Sequence, residues 1–190
     1  FIAITGPTPA CGKSFIAANT AALIAQTGAR VLLVDSDLRR GQLFRTFNVE
    51  QSPGFSEVLS GDAAVKDVIQ QSKVENLDLL TTGKRPPNPA ELLISRHFIE
   101  MKAQLENQYD YVLFDLPPVL NVTDANIVAN RTAATFLVVR SEHSTGHEVD
   151  QAIRRMHRDD IKLTGAIFNG LRVDRRKYGY SKYGYYAYKY

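Results

Sequence analysis

Gly6-Pro7-Thr8-Pro9-Ala10-Cys11-Gly12-Lys13-Ser14 follows the apolar run Phe1-Ile2-Ala3-Ile4-Thr5 and leads into a helical pattern from Ser14 to Gln26 that Gly28 stops. A short apolar run ending at a glycine reads as a buried strand. In the helical stretch Phe15, Ala18, Ala22, Ile24 and Ala25 are expected on one broad face. A loop between such a strand and helix gathers backbone N–H groups and a helix N-terminus at one point, which suits a phosphate chain. The cradle would run through Thr8, Pro9, Ala10, Cys11, Gly12, Lys13 and Ser14. Gly12 lets the backbone approach closely, Lys13 supplies a mobile positive charge, and the Ser14 hydroxyl is placed for Mg²⁺. The strict pattern has glycine where this chain has Pro7, with Gly6 one place early. Against it stands an ordinary strand-to-helix turn with a capping serine.

Outward from this segment the same alternation repeats. Val31 to Val34, Leu77 to Thr81, Tyr111 to Phe114, Thr135 to Val139 and Thr164 to Phe168 read as further strands. A long helix is expected over Pro89 to Gln108, entered through a rigid turn from Lys84 to Pro89, and an amphipathic one over Gly146 to His157. Strands that are nearly all apolar and alternate with helices indicate a parallel sheet with helices on both faces, an α/β fold.

Two more strand ends carry acids. Asp35 and Asp37 follow Val34, and Asp115 follows Phe114 in Val-Leu-Phe-Asp-Leu-Pro-Pro. Ligands of parallel sheets gather at the carboxyl ends of the strands. One carboxylate would bind the metal ion and another orient or deprotonate a nucleophile. Ser14, Asp35, Asp37 and Asp115 are therefore the candidate metal set. Asp35 is the first choice for the proton acceptor and Asp37 the second. Asn169, after the final strand, is a candidate for the base of a nucleotide, with Arg172 flanking it. Arg39 and Arg40 would steady phosphate or the acidic pair, or lie in a solvated turn. Cys11 sits where a helix N-terminus would lower a thiol pKa. His97, His143, His147 and His157 have no metal-ligand spacing and read as surface residues.

Composition places the remaining function. The 190 residues suffice for one domain with a sizeable core. The longest mostly apolar stretch is far short of a membrane span, and one cysteine excludes an internal disulfide framework and fits a reducing compartment. The domain is expected to be soluble and cytosol-facing. A core strand beginning at residue 1 suggests an upstream part left out of this sequence. The net charge of +3 is unevenly held: the last 19 residues carry six Lys/Arg against one acid, leaving 17 Lys/Arg against 19 Asp/Glu in the body. Seven of nine tyrosines also fall there, at Tyr178, Tyr180, Tyr183, Tyr185, Tyr186, Tyr188 and Tyr190. The chain thus divides into a folded domain, 1–171, and a flexible basic tail, 172–190. An aromatic-basic strip would also stack on single-stranded nucleic acid, but stacking needs no hydroxyl, whereas phosphoryl transfer does. The tail reads as a substrate, not a nucleic-acid contact.

Together the loop with Pro9, the segment Asp35-Ser-Asp37-Leu-Arg39-Arg40-Gly41 and Asp115-Leu-Pro-Pro118 resemble the three Walker-type motifs of bacterial tyrosine kinases. Arg85-Pro-Pro-Asn-Pro-Ala-Glu-Leu-Leu93 is similar to another segment of that family, and the tyrosine cluster completes the set. The resemblance spans essentially the whole chain and implies a P-loop NTPase-like fold that binds ATP or ADP with Mg²⁺ and autophosphorylates the seven tail tyrosines. It implies ring-like homo-oligomers with transfer in trans, a cognate tyrosine phosphatase, and control of capsule or exopolysaccharide polymerisation and export. It is closest to the polysaccharide co-polymerase type, which places the domain on the cytoplasmic face of the inner membrane, attached through segments upstream. Two alternatives remain at this point. One is an ATPase of the partitioning or site-selection kind, which carries an extra lysine where this chain has Thr8. The other is a nucleotide-binding interaction module without turnover.

Overall fold

The computed structural model describes residues 1–171. Arg172 and the seven tail tyrosines lie outside the described residues. The strands are β1 (Ile2–Thr5), β2 (Val31–Asp35), β3 (Gln70–Gln71), β4 (Leu77–Leu80), β5 (Tyr111–Asp115), β6 (Ala134–Arg140) and β7 (Leu163–Asn169). The helices are α1 (Lys13–Ala25), α2 (Leu43–Phe47), α3 (Phe55–Ser60), α4 (Val65–Val68), α5 (Pro89–Leu93), α6 (Arg96–Glu106), α7 (Asp124–Ala129) and α8 (Gly146–Arg158). The strands form one sheet in the order β3-β4-β2-β5-β1-β6-β7. All neighbours are parallel except the two-residue β3, which runs antiparallel to β4 at the edge.

Period-two alternation splits each central strand between two apolar layers. On one side Val31, Leu33, Leu79 and Leu113 pack with Ala17, Ala18, Ala21 and Ala25 of α1. On the other, Leu32, Val34, Leu80, Val112 and Phe114 meet Phe98, Met101 and Leu105 of α6, Val128 of α7 and Met156 of α8. Four buried alanines bring α1 close to the sheet, which fixes the loop that precedes it. Phe15 departs from expectation: it is 65% exposed. It lies about 200° around the helix from Ala17, at 100° per residue, so the alanine face turns it outward.

The single helix expected over Pro89 to Gln108 is two. Ser95 interrupts it in an extended conformation, φ −63° and ψ 159°, and its hydroxyl donates to the Leu59 carbonyl at 3.2 Å. A side chain that bonds a distant backbone group competes with helix continuation. Helix α8 begins at a capping box: the Glu148 N–H donates to Thr145 Oγ1 at 3.2 Å, and the Thr145 N–H to Glu148 Oε2 at 2.8 Å. The short elements α2, α3, α4, α7 and β3 carry too few residues for periodicity to reveal them.

Candidate active site

At the carboxyl end of the sheet, strand order brings the motif residues together. β5 lies between β1 and β2, and Asp35 and Asp115 are register partners across it. Both follow the apolar layer that packs on α1, so both lie beneath the start of that helix, where Lys13 and Ser14 sit. Gly12 has φ +92°, a left-handed conformation that glycine adopts without penalty. A Cβ there would also overlap the Asn169 amide. Beyond the loop, a cavity of about 660 Å³ is lined by Pro9, Ala10, Lys13, Ser14, Asp37 and Arg40, with Pro117 and Asn121 opposite. The turn through Lys84 to Asn88 borders a separate cavity of about 580 Å³ with Ser56 and Glu57.

The electrostatics are set by burial. Asp35 is fully buried; one oxygen accepts the Leu43 N–H at 2.9 Å and the other has no partner. Asp115 Oδ1 is likewise buried and unpartnered. Burial, then the neighbouring Asp115 charge, pushes Asp35 up to about 8. Burial also raises Asp115, to about 6, against the pull of Lys13 and the Ser14 hydroxyl. Two adjacent carboxylates in low dielectric resist carrying both charges. Burial works against the Lys13 charge, but Asp115 and Asp37 outweigh it and raise its pKa. Lys13 Nζ stands 3.6 Å from Asp37 Oδ2.

Asp35, the first choice for proton acceptor, lies back from the cavity beside the loop. Its side chain faces the segment after β2, where a Cβ at Gly41 would overlap it, and it does not line the cavity. Asp37, two residues beyond the strand end, does. Among the described residues no three His, Cys, Asp or Glu side chains converge to cage an ion. The donor set still fits Mg²⁺, which is held by one or two carboxylates and completes its shell with water and phosphate. The two orphaned buried oxygens mark where positive charge is lacking.

Other candidates take definite places. Arg39 bonds Asp124 through Nε at 2.8 Å and Nη2 at 3.2 Å, tying the acidic segment to α7 while also lining the cavity beside the loop. Asn169 Nδ2 donates to the Cys11 carbonyl at 3.1 Å, placing it against the loop. Cys11 is buried, and burial raises its thiol pKa, overriding the backbone N–H groups and Lys13 nearby; the lowered value expected from a helix N-terminus does not arise. His143 Nε2 contacts the Pro9 carbonyl at 2.9 Å, and Arg140 Nη1 donates to the Ala10 carbonyl, also at 2.9 Å. No motif tied these two to the loop, because their relation to it spans 130 residues or more.

A strand-loop-helix phosphate cradle beside paired carboxylates on a parallel sheet defines a P-loop nucleotide-binding domain. The family model described as an AAA domain matches residues 1–158. The tyrosine-protein kinase Wzc of Salmonella typhimurium is 40% identical over 187 residues, covering 98% of this chain and 26% of that protein. The chain thus spans about a quarter of the length of the first curated relatives it matches. The kinase domain of the Escherichia coli tyrosine kinase ETK superposes with a TM-score of 0.88 at 36% identity, covering 97% of this chain and 71% of that one. The septum site-determining protein MinD of Pyrococcus horikoshii, complexed with Mg-ADP, matches with a TM-score of 0.75 at 26% identity over 92% of this chain and 70% of that one. The chain belongs to the bacterial tyrosine kinases, within the AAA-domain family.

Proposed function

We propose that this domain transfers the γ-phosphoryl group of ATP to tyrosine hydroxyls of segment 172–190, the tail of one subunit entering the site of another, and thereby regulates capsule or exopolysaccharide polymerisation and export. The observation that carries the reading is the convergence of Lys13, Asp37 and the Asp35–Asp115 pair beneath one phosphate cradle, in a chain whose relatives are tyrosine kinases. MinD in its Mg-ADP complex shares the fold, which supports ATP or ADP with Mg²⁺ as the cofactor pair.

In this reading the backbone from Thr8 to Ser14 and the Lys13 ammonium hold the phosphates. Ser14, Asp115 and Asp35 would hold Mg²⁺, which when bound neutralises charge on the β- and γ-phosphates. Asp37 orients the incoming tyrosine and accepts its proton. A phenol near pKa 10 is about 99.9% protonated at pH 7, so a positioned carboxylate has a definite task. The tyrosine oxygen forms a bond to the γ-phosphorus while the bond from that phosphorus to the β–γ bridging oxygen breaks, releasing ADP. Asn169 and Arg172 border the base. We place the domain on the cytoplasmic face of the inner membrane, within a ring-like homo-oligomer served by a tyrosine phosphatase. No described helix is long and apolar enough to cross a membrane.

The test mixes a Lys13→Met protein bearing an intact tail with an active protein whose seven tail tyrosines are phenylalanine, in Mg·ATP. Phosphotyrosine on the inactive partner is the expected result by mass spectrometry. Its absence, while the wild type labels itself, rejects transfer in trans. No labelling of wild type under any condition rejects the kinase reading.

A further inference from the structure

Three consecutive carbonyls of the phosphate-binding loop are capped from behind by side chains at the ends of β6 and β7. His143 Nε2 meets Pro9 O at 2.9 Å, Arg140 Nη1 meets Ala10 O at 2.9 Å, and Asn169 Nδ2 meets Cys11 O at 3.1 Å. A carbonyl only accepts, so the His143 contact requires a proton on Nε2, which the neutral imidazole can supply.

In a trans peptide the C=O and the following N–H point in opposite directions. Capping Pro9 O therefore aims the Ala10 N–H away from His143. Capping Ala10 O does the same for the Cys11 N–H, and capping Cys11 O for the Gly12 N–H. None of these three N–H groups donates to a backbone carbonyl. They form a row of amides facing away from the β6–β7 end.

The loop needs such a hold. Pro7 replaces the usual glycine, and Ala10 sits at φ +62°, a left-handed conformation strained for a residue with a Cβ. The hold is built by tertiary structure. Arg140 and Asn169 are register partners across β6 and β7. The turn after β6 brings His143 back over Pro9: the His143 and Ser144 N–H groups donate to the Arg140 carbonyl, and the Arg140 N–H donates to Ser144 Oγ at 3.1 Å.

We propose that Arg140 and His143 are positioning residues that keep the Ala10 and Cys11 N–H groups turned toward the nucleotide phosphates, acting through the loop carbonyls and not on the phosphates themselves. This assignment rests on the phosphate-cradle reading of the loop. Both side chains belong to exposed residues, so their replacement leaves the core intact, and each cap can be removed while the others remain.

The experiment measures ADP affinity by calorimetry in Mg²⁺, together with kcat and KM for ATP, on the full chain. Arg140→Ala and His143→Ala should each weaken ADP binding about 5–10-fold, the scale of one hydrogen bond that orders a site, and raise KM for ATP by a similar factor while kcat changes less. His143→Gln, which keeps a neutral N–H donor at similar reach, should recover most of the His143→Ala loss. Arg154→Ala, on the outer face of α8, serves as the charge-removal control and should not alter affinity. Wild-type ADP affinity in both alanine variants overturns the proposal. So does a His143→Gln protein no better than His143→Ala, or a loss confined to kcat. A wild-type chain that binds no ADP overturns the phosphate-cradle reading itself, and this proposal with it.

Discussion

Asp35→Asn should stabilise the fold, and by an amount that depends on pH in a specified direction. Asp35 is fully buried beside Asp115, with its pKa pushed up to about 8 by burial and by that neighbour. A carboxyl whose pKa is raised by folding binds its proton more tightly in the native state. Its contribution to stability is therefore largest below the unfolded value near 3.8 and is lost as pH rises toward 8. At pH 7 the unfolded chain carries an ionised Asp35 and the native state a mostly protonated one. The difference, about 3 pKa units of unfolded-state ionisation at 1.4 kcal/mol each, gives a ceiling of about 4 kcal/mol. Asn mimics the protonated acid: its oxygen still accepts the Leu43 N–H, and its NH₂ donates toward Asp115. Allowing for relaxation around the pair, a gain of about 2–4 kcal/mol at pH 7 corresponds to a rise in Tm of roughly 5–15 °C for a domain of this size. The gain should shrink to near zero at pH 4. Calorimetric melting of wild type and Asp35→Asn from pH 4 to 8, without Mg²⁺ or nucleotide, measures it. A variant no more stable than wild type at pH 7, or one stabilised equally at pH 4, would refute the argument that burial beside Asp115 strains this carboxylate.

Three further outcomes follow from the same geometry. Mg²⁺ affinity in the presence of ADP should rise with pH from about 6 to 8 as Asp115 and Asp35 ionise; titration in buffers of different ionisation enthalpy should show proton release, and a pH-independent affinity without release removes these carboxylates from the metal site. Lys13→Met should leave a folded protein whose tyrosine phosphorylation is reduced at least ~100-fold, and near-wild-type labelling would end the assignment of Lys13 to the phosphates. Arg39→Ala should destabilise the domain by about 1–3 kcal/mol, because it leaves the buried Asp124 carboxylate without its two hydrogen bonds. Urea unfolding checks this, and addition of Asp124→Asn should recover much of the loss.

The strand-loop-helix at the start of the chain and the acids at two later strand ends were legible because their chemistry is local. A buried strand shows itself as an apolar run, a phosphate loop as glycine, lysine and serine at fixed spacing, and a strand-end acid as the residue that stops the run. The parallel class followed from the alternation of such runs with helices. The sequence could not show that β5 inserts between β1 and β2, which makes Asp35 and Asp115 adjacent, so that the Asp115 charge adds to burial in raising the Asp35 pKa. Strand order depends on how layers pack, and no residue's neighbours in sequence encode it. For the same reason Asp35 reads as the natural base from its position, while the fold turns it under Gly41 and presents Asp37 to the cavity. Phe15 reads as core and is turned out because four alanines set the face on which α1 lies. Arg39 reads as steadying phosphate or the acidic pair, or as part of a solvated turn, and its pairing with a buried acid 85 residues away has no local signal. Arg140 and His143 carry no motif at all; only the pairing of β6 with β7 and the turn after β6 bring them to the loop carbonyls. Local chemistry determined which residues are equipped to meet a phosphate chain, and long-range packing decided which of them face one another and which loop carbonyls are met by residues no pattern could name.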